Sequence, residues 1–196
     1  MTIGGPTQGV GTPPTRGQAL ALVHEWVGNP NLRKHCYAVE AAMRAYARHY
    51  GEDEERWGLT GLIHDFDWER HPDAQRHPMQ GVEVLREKGW PEDVCRAVLG
   101  HATYSGVPRD TAMARTLFAC DELCGFLVAC ALVTPNKTLS EVEVAGVKKK
   151  LKRADFARNV NREDIANGTA ELGVDPDEHI AFTLAALREI RAELGL

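Results

Sequence analysis

The sequence predicts an all-α protein with one domain of about eight or nine helices. Apolar residues recur three and four positions apart along most of the chain, which is the period of amphipathic helices. Glycine, proline and asparagine separate these segments at intervals that suit helices. No segment shows the alternation typical of a strand. With 196 residues, of which 43% are hydrophobic, the chain can bury one substantial core.

Helix signals divide the first half of the chain. Asn29 and Pro30 separate the first helix from the second, and Gly51 closes the second. Gly89 ends the fourth helix, and Pro91 suits the first turn of the fifth. The predicted helices of this half span residues 16–28, 31–50, 53–66, 78–88 and 91–101.

Similar signals divide the second half. Asp110 is predicted to cap the long sixth helix, and Pro135 follows its end. Asp175 and Pro176 mark the start of the last helix. The predicted helices of this half span residues 110–133, 140–151, 161–172 and 177–194.

The bulk composition narrows the classes of partner. A formal charge of -5 gives no whole-molecule attraction to nucleic acid or an anionic membrane, so neither is expected as the main partner. No apolar run approaches membrane-spanning length and no secretory signal is recognisable, so a cytoplasmic location is expected. The five cysteines are odd in number and lie in apolar patterns, which indicates reduced core thiols. A homodimer stays an open alternative.

Polar residues interrupt several apolar helix faces. His35 continues the stripe of Val39 on the second helix, and His101 continues that of Val98 on the fifth. Asp121 lies in the middle of an apolar face of the sixth helix. One buried histidine is usually a hydrogen-bonded structural residue. Several such residues on separate helices favour a shared site instead.

The third helix carries the most informative pair. It is apolar on nearly every side, yet His64 and Asp65 stand together near its end. A buried carboxylate must be protonated, paired or bound to a metal, and basic residues are scarce on the inward faces. Histidine and carboxylate together are a ligand set for transition metals. The pattern therefore predicts a metal site.

The order of His35, His64-Asp65 and Asp121 on successive helices resembles the HD superfamily of metal-dependent phosphohydrolases. "GLIHDFD" resembles the family's "LLHDIG" segment, and "HPMQGVEVL" and "AVLGHATYSG" resemble the segments that carry later histidines. The resemblance implies an HD-domain fold. It also implies one or two divalent ions of Fe, Mn, Zn, Mg, Co or Ni. By this resemblance His35, His64, Asp65 and Asp121 would bind the first metal, and His77 and His101 would complete a second that Asp65 bridges.

The sequence departs from the family at two positions. Asp67 stands where glycine is common, and Trp68 occupies the glutamate position of the superfamily's 5′-nucleotidases. The glycine-tyrosine-proline signature of cyclic-di-GMP phosphodiesterases is also absent. The domain assignment is a flexible leader at 1–15 followed by an HD domain at 16–196. Within it, 31–125 form the metal-binding core and 136–196 a C-terminal helical extension.

The resulting hypothesis is a hydrolase that cleaves a phosphate ester, such as a nucleotide, with metal-activated water. Asp65 could orient the nucleophile. Asp67 or Glu69 could act as a proton shuttle, with solvated surface charges as the alternative interpretation of both.

The substrate is expected to be a small phosphorylated molecule. Arg33 and Lys34, beside His35, are candidates for binding its phosphate. Lys148, in the basic run 148–153, is a third candidate, although such a run is usually a solvated face. His24, His49 and His179 are expected on the surface.

Two other functional classes fit the same residues. Mixed-valent diiron oxygenases related to myo-inositol oxygenase present a similar order of histidines and aspartates but activate dioxygen. A non-catalytic, metal-binding regulatory module is the remaining alternative.

Overall fold

The structure is a computed structural model that describes residues 14–196. All regular secondary structure in this part of the chain is helical. Most of the predicted leader, residues 1–13, lies outside the described residues. The helices within 14–196 are α1 (Arg16–Trp26), α2 (Pro30–Tyr50), α3 (Glu54–Ile63), α4 (Met79–Glu87), α5 (Glu92–His101), α6 (Ala112–Leu132), α7 (Val144–Leu151), α8 (Arg162–Leu172), α9 (Pro176–Glu189) and α10 (Arg191–Leu194). Short 3-10 helices lie at Thr103–Ser105 and Leu139–Glu141. The all-α prediction is confirmed.

The predicted cap of α6 is wrong by one residue. The Thr111 side chain caps this helix by accepting a hydrogen bond from the amide of Ala114. Asp110 instead accepts a hydrogen bond from Arg96, at 3.2 Å. By contrast, Asn29 caps α2 as its sequence suggests, and Gly51 ends α2 in the left-handed region with a φ of 70°.

Three predicted helices differ clearly from those in the structure. The seventh was predicted to begin at residue 140 but begins at Val144, after a short 3-10 helix. The third was predicted to reach residue 66 but ends at Ile63, so His64 is its C-terminal cap and Asp65 lies in the following turn. The last was predicted as one helix, but the chain breaks at Ile190, whose amide donates to the carbonyl of Leu187 rather than four residues back.

The core is one continuous cluster in which α2, α3 and α6 are central. α2 packs against α3 and α6, and α8 and α9 pack on α6, so the C-terminal helices share this core. All five cysteines are buried and unpaired, as expected of reduced core thiols. Within the described residues, no helix combines the length and apolar character that a membrane crossing requires.

His179 is buried in this core, and the prediction that it lies on the surface is wrong. It is 1% exposed. Its Nε2 donates to the Ala119 carbonyl at 3.0 Å, and its Nδ1 lies 2.6 Å from the hydroxyl of Tyr46. Both nitrogens are therefore satisfied inside the protein, which offsets the cost of burying the ring. His24 and His49 are exposed, as expected.

Close approach of α2 and α3 depends on Gly61. A Cβ at this position would lie 2.8 Å from the Val39 carbonyl oxygen, so the backbones would have to separate. We expect Gly61→Ala to lower the free energy of unfolding by about 2–3 kcal/mol, measured by urea denaturation. Gly17→Ala is the matched control. Gly17 is exposed on α1, where alanine is expected to be neutral or stabilising. Equal effects of the two substitutions would contradict this explanation.

Candidate metal centre

Six side chains from three helices, one turn and one loop converge beside the end of α3. His35 comes from α2, His101 from the end of α5 and Asp121 from α6. His64 and Asp65 come from the turn after α3, and His77 comes from the loop before α4. The residues form two groups that share Asp65, and the ligand atoms within each group lie within 4.8 Å of one another.

The first group contains His35, His64, Asp65 and Asp121. Asp121 Oδ1 lies 2.9 Å from His35 Nε2 and 3.3 Å from His64 Nε2. Asp65 Oδ2 lies 3.7 Å from His35 Nε2 and 3.5 Å from His64 Nε2. Two imidazole nitrogens and two carboxylates therefore surround one point.

The second group contains Asp65, His77 and His101. The other oxygen of Asp65, Oδ1, lies 3.4 Å from His77 Nε2 and 3.2 Å from His101 Nε2. Asp65 thus directs one oxygen towards each group, which is the arrangement of a bridging carboxylate.

The hydrogen bonds at the far side of the rings fix which nitrogen faces the centre. Nδ1 of His64 lies 2.8 Å from the Gly61 carbonyl, Nδ1 of His101 contacts the Val98 carbonyl, and Nδ1 of His77 lies 2.8 Å from Asp67 Oδ1. Because each acceptor requires a proton on Nδ1, a neutral ring presents an unprotonated Nε2 to the centre.

This geometry requires positive charge at the centre. The Nε2 atoms of His35 and His64 are 3.2 Å apart, and so are those of His77 and His101. Facing lone pairs at this distance repel one another unless a proton or a metal ion lies between them. Imidazole nitrogen combined with carboxylate oxygen suits divalent zinc, iron, manganese, cobalt or nickel, so the residues present fit a metal.

The charges of the side chains in the centre shift one another's pKa values. Burial alone would lower the pKa of His64, but Asp65 and Asp121 outweigh it and raise this pKa to about 9. Burial opposes ionisation of both aspartates, but the surrounding histidines together outweigh it and hold the pKa of each carboxyl below its usual range, His64 with His101 at Asp65 and His64 with His35 at Asp121. Protons therefore occupy the site when no metal does, and metal binding must release them.

The match to known families agrees with this geometry. A family model described as the HD domain matches residues 32–125. This part of the chain, just under half of it, belongs to the HD-domain superfamily. HD domains bind divalent metals and are usually phosphohydrolases. No match was found among the curated proteins or among the solved structures.

The candidate centre of this HD domain lies on the floor of an open pocket of about 770 Å³. Aromatic side chains border it, with Phe118 buried and both Trp68 and Tyr104 substantially exposed at 40% and 50%. The Trp68 ring contacts the His77 ring edge to face, with centroids 4.9 Å apart. A ligand on the floor would therefore meet aromatic surface as well as metal ligands.

Helix α8 supplies another wall of the pocket, from outside the stretch predicted as the metal-binding core. Its contribution is acidic and polar, and includes Glu163, Asp164 and Asn167. Glu122 of α6 joins this wall, and burial together with Asp121 raises its pKa to about 7. Among the described residues that line the pocket there is no lysine or arginine.

Asp67 lies behind His77, away from the pocket lining. Its side chain is fully buried, so the interpretation of Asp67 as a solvated surface charge is wrong. One oxygen faces His77 Nδ1, and the other accepts the Gly81 amide at 3.0 Å. A Cβ on Gly81 would lie 2.5 Å from the Asp67 carboxyl carbon. The geometry supports orientation of His77 by Asp67 and gives no support to a proton shuttle.

The other predicted shuttle and the substrate-binding candidates also lie elsewhere. Glu69 accepts hydrogen bonds from the amides of Gly28 and Asn29, so its carboxylate holds the start of α2. Arg33 donates to the Val27 carbonyl at 2.6 Å.

Lys34 has its ammonium group beside Gly195, and Lys148 pairs with Asp177 at 2.7 Å. The pocket over the metal centre is not lined by any of these three candidates, Arg33, Lys34 and Lys148. Their proposed contact with substrate phosphate is therefore not supported.

Proposed function

We propose that this HD-domain protein is a metal-dependent phosphohydrolase for a small ester with one phosphate group. The observation that carries the proposal is the convergence of four imidazole Nε2 atoms on the carboxylates of Asp65 and Asp121, at the floor of an open pocket. A divalent metal bound here would supply positive charge to the phosphoryl oxygens and would lower the pKa of its bound water towards neutrality. A reaction at phosphorus is proposed because HD domains are usually phosphohydrolases.

The residues of the chain supply a rigid frame for that chemistry. His64, His77 and His101 hold their Nδ1 protons on fixed acceptors, so their Nε2 atoms keep one direction. His64 is fully buried and His77 and His101 are nearly so, and their surroundings therefore restrict movement of the rings. Such preorganisation lets a site bind developing charge without reorganising.

The pocket walls narrow the class of ester. Glu163 and Asp164 would repel a polyanionic substrate such as a nucleoside triphosphate, and no lysine or arginine of the lining would offset them. A monophosphate brings less charge, and it can place that charge at the metal-binding floor. Trp68 and Tyr104 provide aromatic surface for a planar or apolar group on the ester. Nucleoside monophosphates and aryl or sugar phosphates are therefore the preferred substrates.

The proposal is tested by phosphate release without oxygen. The metal-depleted chain is reconstituted with Mn²⁺, Co²⁺, Zn²⁺ or Fe²⁺ and incubated anaerobically with a panel of monophosphates. We expect inorganic phosphate to appear with at least one metal and to disappear when a chelator is added. His49→Ala, which removes an exposed histidine, should retain the activity.

Other outcomes would identify the competing classes. Turnover that requires oxygen and consumes it would overturn the proposal in favour of an oxygenase. Metal bound at the stoichiometry of the two groups without phosphate release from any ester would favour a regulatory module.

A further inference from the structure

A second cavity lies on the opposite face of α8 from the metal centre. It has a volume of about 640 Å³, is open to solvent as the metal pocket is, and is lined by α6, α7, α8 and α9. This size falls within the range of roughly 300–1,000 Å³ that small-molecule sites occupy. Asp164 and Asn167 of α8 face the metal pocket, whereas Ile165, Ala166 and Thr169 face the second cavity. The two cavities are therefore separate and share one helix as a wall.

The interior of the second cavity is apolar. Leu123, Leu151, Ile165, Val174 and Ile180 supply most of its hydrophobic surface. Water against these apolar walls finds few polar partners. The free energy of filling the cavity therefore favours a hydrocarbon group over a polar one.

His179 and Thr169, the polar side chains among the apolar walls, already have hydrogen-bond partners. His179 uses both ring nitrogens, on Tyr46 and on the Ala119 carbonyl, and burial lowers its pKa so that the ring is neutral at pH 7. The Thr169 hydroxyl donates to the Ile165 carbonyl at 2.7 Å. An occupant beside these two side chains thus needs no hydrogen-bonding group. Among the described lining residues, the buried polar atom left without a partner is Arg162 Nε, on the basic side of the cavity.

The rim of the cavity is basic, in contrast to the chain as a whole. Lys148, Lys152 and the stem of Arg162 lie along it, although the net charge of the protein is -5. Asp177 pairs with Lys148. Lys152 is exposed and forms no ion pair within residues 14–196. The basic run of α7 therefore places an ammonium group that is free to bind a ligand at the edge of the second cavity.

We propose that this cavity binds a single-chain amphiphilic anion, a fatty carboxylate, with the hydrocarbon chain inside and the carboxylate at Lys152. The apolar walls favour a hydrocarbon chain, and the Lys152 ammonium group at the rim favours a negatively charged head group. A neutral amphiphile would lose the contact at the rim. A short carboxylate would lose the burial inside.

Binding of dodecanoate by the full chain tests the proposal directly. Isothermal titration calorimetry below the micellar concentration should show saturable binding near one equivalent. Dodecanol should bind more weakly, and acetate should give no signal. Binding of dodecanol as tight as that of dodecanoate would overturn the assignment of an anionic head group. No saturable binding of dodecanoate would overturn the site.

Matched variants then locate the ligand. Ala166→Phe fills the cavity from an exposed position of α8 and should abolish binding, while circular dichroism and the melting temperature report on folding. Lys152→Glu should weaken dodecanoate binding by about tenfold, whereas Lys149→Glu, in the same basic run but outside the lining, should leave it nearly unchanged. Equal losses in the two lysine variants, or unchanged binding in Ala166→Phe, would contradict the proposal.

Discussion

Replacement of Asp65 by asparagine is expected to remove metal from both groups and to lower kcat/KM by about a thousandfold or more. Asp65 directs Oδ2 towards His35 and His64 and Oδ1 towards His77 and His101. Asparagine keeps the shape but loses the negative charge and one of the two oxygens. Elemental analysis after desalting measures the metal, and phosphate release measures the activity.

Two further variants make this result specific. His77→Ala disrupts only the second group, so it should retain the metal of the four-residue group. Asp110→Asn is the surface control, since Asp110 is exposed, pairs with Arg96 and does not line the metal pocket. Full metal content in Asp65→Asn would show that Asp65 is not a shared ligand. Equal metal loss in Asp65→Asn and His77→Ala would contradict the division into two groups.

Asp67→Asn is expected to weaken metal binding by His77 and His101 by about 10- to 100-fold. The carboxylate of Asp67 accepts hydrogen bonds on both oxygens, from His77 Nδ1 and from the Gly81 amide. An amide can place its oxygen towards only one of these donors and turns its NH₂ group towards the other. The His77 ring or the Gly81 amide therefore loses its acceptor in a buried environment, which costs about 1–3 kcal/mol.

Metal affinity separates this positioning role from a purely structural one. Competition with a chromophoric chelator should show a weaker second equivalent of metal in Asp67→Asn and a nearly unchanged first equivalent. Asp73→Asn is the control, because Asp73 is half-buried in the same loop and its Oδ1 accepts backbone amides that asparagine can also satisfy. The substitution also removes the ion pair of Asp73 Oδ2 with Arg76, which is a surface pair of small effect. A lower melting temperature with unchanged affinity for both equivalents would reject the positioning role of Asp67.

The sequence predicts the helices and much of the centre because both follow from local periodicity. Val39, Val94 and Val98 are buried as their stripes require, and His35 and His101 continue those stripes into the site. Asp121 likewise lies on an inward face of α6 and reaches both His35 and His64. A residue on a regular helix reveals its direction through its neighbours three and four positions away.

Residues in loops and on distant helices carry no such signal. His77 precedes α4 in a polar loop, and only the family resemblance indicated its role. Asp67 looked like a surface charge, since its partners His77 and Gly81 are separated from it by 10 and 14 positions. The acidic wall depends on packing of α8 against α6, which local periodicity does not specify. The predicted phosphate ligands Arg33, Lys34 and Lys148 do not line the metal pocket, for the same reason.

The three orienting acceptors behind the imidazole rings differ in how they can change over evolutionary time. Those for His64 and His101 are main-chain carbonyls, at Gly61 and Val98, and every amino acid supplies the same oxygen there. That for His77 is a side chain, Asp67. A point mutation at position 67 can therefore change the basicity of the His77 ring. The basicity of the His64 and His101 rings changes through their acceptors only if the helix backbone itself moves. Divergence of metal preference among descendants of this chain should accordingly concentrate at positions 67 and 81.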